Sequence, residues 1–296
     1  MTTKTLGFIG LGVMGEPMCR HLVQKSGLPI TINDLNSAPI ERLVGFGAKS
    51  GSIAEVASAD IVFLSLPNGE ILQKLCEHKG GLLEHMGSGQ TLVDLSTSPV
   101  DLTRKIAMAF EANGVRYADA PVARTRAAAE AGTLAITVGA TAELFANIEP
   151  FLRYFASEVT HCGEVGAGQV VKILNNMVVV GTVTALCEAA AIAETAGVSC
   201  QALFEAFSKG SADSFALQNH GFKAVATNEF PERVFSTDYM AKDVSYALMM
   251  AKDGGIKARE AALCAELLKT ASLKGYGTQY WPVIVKVIKS GQTMRE

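Results

Sequence analysis

The chain has 296 residues, long enough for about two domains. At 49% hydrophobic and 19% charged it can build a sizeable core, which excludes wholesale disorder. A net charge of −3 with no dense basic stretch argues against a nucleic-acid or anionic-membrane partner.

Met1-Thr2-Thr3-Lys4-Thr5 leads straight into an apolar run, so no signal or transit peptide is expected and a cytoplasmic location is. Leu6-Gly7-Phe8-Ile9 then feeds into Gly10-Leu11-Gly12-Val13-Met14-Gly15, and a helix-compatible run follows at 17–23. In a G-x-G-x-x-G turn the first glycine permits the sharp strand-to-helix reversal. The second lets a pyrophosphate approach the backbone, and the third lets the helix pack close. The helix N-terminus then offers N–H groups and the positive end of its dipole to the phosphates. A second strand-like run at 29–33 ends at Asp34, 19 positions after Gly15. An acid at that spacing accepts from the ribose hydroxyls and repels a 2′-phosphate, so the expected cofactor is NAD in preference to NADP.

Further strand-like runs lie at 61–66, ending at Pro67, at 91–95, ending at Ser96-Thr97, at 116–120, ending at Pro121, and at 134–139. Helical stretches lie between them, including 100–113 and 142–151. This alternation predicts an α/β domain with a doubly wound, mainly parallel sheet. Ligands in such sheets bind outside the carboxyl ends of the strands, which puts the Leu66-Pro67, Ser96-Thr97 and Pro121-Val122 loops near the cofactor. Near Gly163 the pattern changes. Helices are expected at 169–196, 200–208, 236–252, 256–274 and 281–289, with almost no strand-like runs. The expected organisation is a Rossmann domain over 1–163 and an all-α domain over 164–296. The uncharged stretch 173–187 is short for a membrane span and contains Asn175, Asn176 and Gly181, so it reads as a buried helix. The six cysteines form no C-x-x-C pair, which suits reduced thiols.

Lys172 is the strongest catalytic candidate. It is the only charge between Gln169 and Cys187, in an otherwise apolar helix. Partial desolvation lowers an ammonium pKa toward the range useful for proton transfer. Asn176, four positions on, shares its face, and the two can donate to one substrate oxygen. A snorkelling lysine beside a capping asparagine fits the same pattern. Lys242-Asp243, taken alone, is ordinary helix-surface charge. The five histidines have no metal-type spacing, and no nucleophile elbow or Walker A motif occurs.

Together these pieces resemble the 3-hydroxyisobutyrate dehydrogenase family of β-hydroxyacid dehydrogenases. Residues 7–15 are similar to its cofactor signature, and Leu66-Pro67-Asn68 and Asp94-Leu95-Ser96-Thr97 to its cofactor-side loops. Asp119-Ala120-Pro121-Val122 and Gly132-Thr133-Leu134 are similar to its substrate-loop region. Residues 168–176 are similar to its catalytic helix, and Phe235, Lys242 and Asp243 to its C-terminal signature. The resemblance implies that Lys172 is the acid/base, that Asn176 orients the substrate and that Lys242 lies by the nicotinamide and substrate. It also implies a homodimer or homotetramer built partly through the helical domain.

One departure is specific. The family usually follows Asp-Ala-Pro-Val with Ser-Gly-Gly, whereas this chain has Ala123-Arg124-Thr125. A guanidinium suits bidentate binding of carboxylate, sulfonate or phosphate. The Pro-Val-x-Arg-Thr pattern is similar to the sulfolactaldehyde reductase branch. Arg124 is therefore the candidate anchor for a substrate anion, and Arg126 either assists or is solvated. Met177, Val178, Val179 and Val180 offer no extra hydroxyl to a larger head group. The expected protein is an NAD-dependent oxidoreductase for a small anionic hydroxy acid or its aldehyde, with Ser96 and the 123–125 backbone positioning the substrate. Two other readings are an imine reductase, which often lacks the lysine, and a non-catalytic NAD-binding regulator.

Overall fold

Leu6–Ile9 (β1), Ile61–Leu64 (β4) and Thr91–Asp94 (β5) are buried along their whole length, as continuous apolar runs covered on both faces should be. Successive side chains point to opposite faces. Phe8 and Phe63 enter one core with Ile32 and Val93, while Ile9, Val62 and Leu64 enter another with Leu72 and Phe110. The computed structural model describes residues 4–232 and 234–291. Met1-Thr2-Thr3, part of the segment behind the leader-peptide expectation, lies outside them. The chain divides into two compact units, Met1–Lys172 and Ile173–Glu296.

In the first unit, helices separate the strands. Gly15–Lys25 (α1) leads to Ile30–Asn33 (β2). Ser37–Gly45 (α2), Lys49–Ser50 (β3) and Ile53–Ala57 (α3) precede β4. Gly69–Glu77 (α4) and Leu82–His85 (α5) precede β5, and Val100–Ala112 (α6) leads to Arg116–Asp119 (β6). These strands lie in the order β3-β2-β1-β4-β5-β6, all parallel. The order reverses between β1 and β4, the crevice where such sheets bind dinucleotides. Val122–Ala123 (β7), Arg126–Ala131 (α7), Leu134–Gly139 (β8), Ala142–Leu152 (α8) and Ala156–Gly163 (β9) complete the unit. β8 meets β6 and β7 antiparallel and β9 parallel, so the sheet is mainly, not wholly, parallel.

Ala167–Thr195 (α9) is a single 29-residue helix. It is long and apolar enough to cross a membrane by length and composition, yet Val180, Val183, Leu186, Cys187 and Ala190 sit in the core of the second unit, as in a core helix. Cys200–Phe207 (α10), a π-helical segment at Leu217–Val225, Thr237–Asp253 (α11), Arg259–Ala271 (α12) and Ile284–Lys289 (α13) pack with it around the fully buried Trp281.

The structure corrects several expected bounds. The run at 61–66 stops pairing at Leu64, because Ser65 and Leu66 turn into the loop. The helix expected at 256–274 starts only at Arg259 and ends in a π-turn over Ser272–Tyr276, broken by Gly275 at φ +86°. The run at 281–289 opens as a 3₁₀ turn, Trp281–Val283, with Pro282 inside it.

Candidate active site

The glycine turn leaves β1 between β2 and β4. Gly10 N–H donates to Asn33 O at 3.1 Å, and Ser65 N–H donates to Ile9 O at 2.9 Å. Gly10 has φ +94°, and a Cβ there would overlap the Ser65 carbonyl oxygen. A Cβ at Gly15 would overlap Gly10 O, whereas a Cβ at Gly12 would meet nothing within 4 Å. Two glycines are therefore required by packing, and the third leaves an open cradle beside the exposed Val13. α1 starts at Gly15 after Met14 with no side-chain cap; Glu16 N–H donates to Gly12 O at 3.1 Å and Pro17 has no N–H, so the helix opens directly at the cradle on its own backbone. The Asp34 carboxylate ties the turn to the end of β2: Oδ2 accepts from Leu11 N–H at 2.5 Å and Oδ1 from Asn36 N–H at 2.8 Å. Open cradle, uncapped helix and acid together fit a nicotinamide dinucleotide.

The loops after β4 and β5 are joined. Leu66 N–H donates to Ser96 Oγ at 2.9 Å, and Asp94 Oδ1 accepts Ser96 N–H at 2.9 Å. Ser96, Thr97 and Asp94 are buried, while Pro67 is exposed. Tyr117 donates to Asp94 Oδ2 at 3.3 Å. Burial pushes the Asp94 carboxyl up to about 6 against the pull of these donors.

The start of α9 is seated on the same loops. Asp119, fully buried at the end of β6, accepts Gly166 N–H at 2.6 Å and Gln169 N–H at 2.8 Å. It thus serves as a long-range cap for the helix. Gln169 Nε2 donates to Ser96 O at 2.8 Å, and its Oε1 accepts Ser98 N–H at 3.2 Å. Burial raises the Asp119 carboxyl to about 6 although both amides favour its charge. The sequence reading quoted Asp94, Asp119 and Gln169 only within motifs and gave none of them a role. The one available signal was a cluster of polar residues in otherwise apolar strand ends.

Lys172 and Asn176 are buried at 8% and 4% exposure, one turn apart on α9. In the second unit Asn176 Nδ2 donates to Asp243 Oδ2 at 2.6 Å. Lys242 Nζ lies 3.2 Å from Asp243 Oδ1 and 3.9 Å from the Tyr239 ring centroid, and Phe235 packs edge-on against Tyr239 at 5.3 Å. Lys242-Asp243, indistinct in sequence, is therefore part of a partly buried cluster that includes Asn176. In the first unit Ala123 closes β7, and Thr125 precedes α7. Arg124 is exposed, with its Nη1 donating to Thr133 O at 2.6 Å and Ser157 Oγ at 2.8 Å. Its φ is +82°, a conformation ordinary side chains avoid.

Residues 5–163 match the family profile for the NAD-binding domain of 6-phosphogluconate dehydrogenase. Residues 166–288 match that for the NAD-binding region of NADP-dependent 3-hydroxyisobutyrate dehydrogenase. The chain belongs to the 3-hydroxyisobutyrate dehydrogenase family. It is 32% identical over 284 residues to 2-(hydroxymethyl)glutarate dehydrogenase of Eubacterium barkeri, covering 95% of this chain and 94% of that one. It is 29% identical over 294 residues to 3-sulfolactaldehyde reductase of Escherichia coli, covering 96% and 95%. A solved 3-hydroxyisobutyrate dehydrogenase from Mycobacterium tuberculosis, with L-serine, superposes with a TM-score of 0.88 at 28% identity over 97% of this chain and all of that one. The family is one of NAD(P)-dependent β-hydroxyacid dehydrogenases, so the protein is an oxidoreductase of small hydroxy acids with an N-terminal Rossmann domain.

Proposed function

We propose that this enzyme uses NAD(H) to interconvert a small anionic 3-hydroxy acid, or the related hydroxy-sulfonate, with its aldehyde or ketone, and that Lys172 is the acid/base. The observation that carries the reading is Lys172 itself, buried on an apolar helix one turn from Asn176. The cofactor domain is assigned to 1–163 and the substrate and oligomerisation domain to 164–296, a division supported by the two profile matches. Gly10, Gly12, Val13, Met14 and Gly15 would hold the pyrophosphate, and Asp34 the ribose. Leu66, Pro67, Thr97, Phe235, Lys242 and Asp243 would hold the rest of the dinucleotide. NAD over NADP is supported by Asp34 and by the Leu35-Asn36-Ser37 turn, which has no cation to meet a 2′-phosphate.

When bound, the nicotinamide supplies or accepts the hydride at the carbon that bears the oxygen. Protonated Lys172 gives its Nζ proton to the carbonyl oxygen in reduction, and neutral Lys172 takes the hydroxyl proton in oxidation. Asn176, held by Asp243, donates to the same oxygen and orients it. Ser96, Lys242 and the 123–125 backbone position the substrate, and the Arg124 guanidinium pairs with its anionic head. The enzyme is assigned to the cytoplasm as a homodimer or homotetramer.

The test is NADH and NADPH oxidation against succinic semialdehyde, 2-hydroxy-3-oxopropionate, glyoxylate and 3-sulfolactaldehyde, with NAD reduction against L-serine and 3-hydroxyisobutyrate. Turnover with NADH that drops at least about 100-fold in Lys172→Ala is expected. Undiminished turnover in that variant overturns the acid/base assignment. Tight NADH binding without turnover on any panel member would favour a binding-only protein.

A further inference from the structure

The start of α9 is held with unusual closeness. A Cβ at Gly168 would overlap Thr137 O and come within 2.8 Å of Asp119 Oδ2. A Cβ at Gly139 would overlap Asp119 Oδ1 and come within 2.9 Å of Ala167 N. The first helical turn therefore lies directly on β8 and the Asp119 carboxylate, with no side chain between. Thr137 Oγ1 adds a bond to Gly168 O at 3.0 Å. One face of this turn carries Gln169, and Lys172 follows three positions later on that face. Gln169 spans the Ser96–Ser98 loop with one donor and one acceptor bond, both buried. Asp94 fixes that loop from the other side.

We propose that Gln169, with Asp119 beneath it, is a positioning residue that fixes the Lys172 turn of α9 against the Ser96–Ser98 loop. The inference rests on the reading of Lys172 as the acid/base. Gln169 itself transfers no proton; it fixes where Lys172 stands. Proton transfer is steep in distance, and a displacement of about 1 Å costs on the order of 100-fold. The turn is held by the Asp119 cap, the glycine contact on β8, the Thr137 bond and the Gln169 bridge. Only the bridge addresses the cofactor-side loop.

The charge on Asp119 adds a second signature. Among the titratable groups that face it are Asp94 on β5, Arg104 on α6, Tyr117 on β6 and Cys162 on β9. Protonation near pH 6 leaves Asp119 a poorer acceptor for the two helix amides. Reduction needs Lys172 protonated, so Lys172 itself removes activity only as pH rises. A loss of kcat as pH falls through about 6 is then the mark of the carboxylates under the helix.

The experiment uses the full chain and whichever panel aldehyde turns over fastest. In Gln169→Leu, kcat is expected to fall about 10- to 100-fold, with KM and the NADH dissociation constant within about 3-fold of the parent. Gln169→Glu keeps the acceptor for Ser98 and should lie between. In the Lys172→Ala background Gln169→Leu should cost nothing more, because its effect passes through Lys172. Asp119→Asn keeps only one acceptor oxygen for the two helix amides, so kcat should fall at every pH, and the remaining acid limb should lie at lower pH because Asp94 loses a neighbouring negative charge. NADH affinity and Tm report whether each variant folds. Equal losses in both backgrounds, or an unchanged kcat in folded Gln169→Leu and Gln169→Glu, would overturn the proposal. Full turnover in Lys172→Ala alone instead overturns the underlying acid/base reading.

Discussion

Arg124 concentrates both chemistry and strain. The family resemblance sets Arg124 against the first glycine of Ser-Gly-Gly, and the backbone explains why a glycine would suit the position. At φ +82° an L side chain costs about 1 kcal/mol more than glycine. Ordinarily glycine is the less stable partner of an alanine/glycine pair. Here the order should invert: Arg124→Gly is expected to be more stable than Arg124→Ala by about 1 kcal/mol, read as Tm or denaturant midpoint. Both lose the bonds to Thr133 and Ser157, so that contribution cancels in the comparison. Both should raise KM for the anionic substrate about equally, since the guanidinium is gone from each. An alanine variant as stable as the glycine variant would remove the strain argument, and an unchanged KM would remove the anchor role. Asp119 and Gln169 were harder to recognise than Arg124. Their meaning lies in contacts to residues about 50 to 70 positions away, for which a single sequence has no signal.

Elements with strong period or strong punctuation were legible, and the glycine turn most of all. Its three glycines make separable predictions. Gly12→Ala meets open space, so Tm should hold while NADH affinity falls at least about 10-fold as the added methyl occupies the cradle. Gly15→Ala drives a methyl into Gly10 O and should destabilise the fold by about 2 kcal/mol or more, seen in Tm without ligand. If both variants lost only affinity, the division between packing and cradle would be wrong. β9 escaped notice because Ala-Ser-Glu-Val-Thr-His-Cys-Gly mixes polar and small residues with no clear alternation, giving only Ala156 and, in part, Val159 to the core while pairing with β8. Of the two π-segments, Ser272–Tyr276 overlapped the end of the helix expected at 256–274, whereas Leu217–Val225 lay outside every expected helix. One of them holds His220, buried against Trp281 and hydrogen-bonded through Nδ1 to the Tyr280 hydroxyl. Burial, helped by Lys223, pushes its pKa down to about 4. The unfolded chain takes up this proton near 6.5, so between those values the unfolded state binds more protons. The contribution is full above 6.5 and drains away as pH falls toward 4, on the order of 3 kcal/mol. His220→Gln should flatten the unfolding free energy over that window. An identical pH slope in both proteins would mean His220 is not the group responsible.

At the scale of the whole molecule, the second unit leaves an apolar stripe on its longest helix. Leu174, Val178 and Ile192 are exposed, Val178 at 61% and Ile192 at 67%, while the opposite face of α9 fills the core. Ala185 continues the stripe, and Glu188 is the acid beside it. An isolated exposed leucine needs no explanation, but a stripe running several turns along one helix does. A second copy of the same helix is a suitable cover, self-complementary in kind, with two acids at the stripe to accommodate: Glu188 beside it and Glu260, whose carboxylate lies against Gly181 between Val178 and Ala185. Homo-oligomerisation therefore has a physical motive beyond family resemblance. Light scattering on the purified chain should give at least twice the 31.2 kDa of one copy. Val178→Glu places a charge in the centre of the stripe and should shift the mass to a single copy at micromolar concentration. Secondary structure should persist, because the position is solvent-facing in the isolated chain. An oligomer that survives Val178→Glu unchanged would assign the contact to another face. A parent chain that is already a single copy would leave the stripe to a different partner.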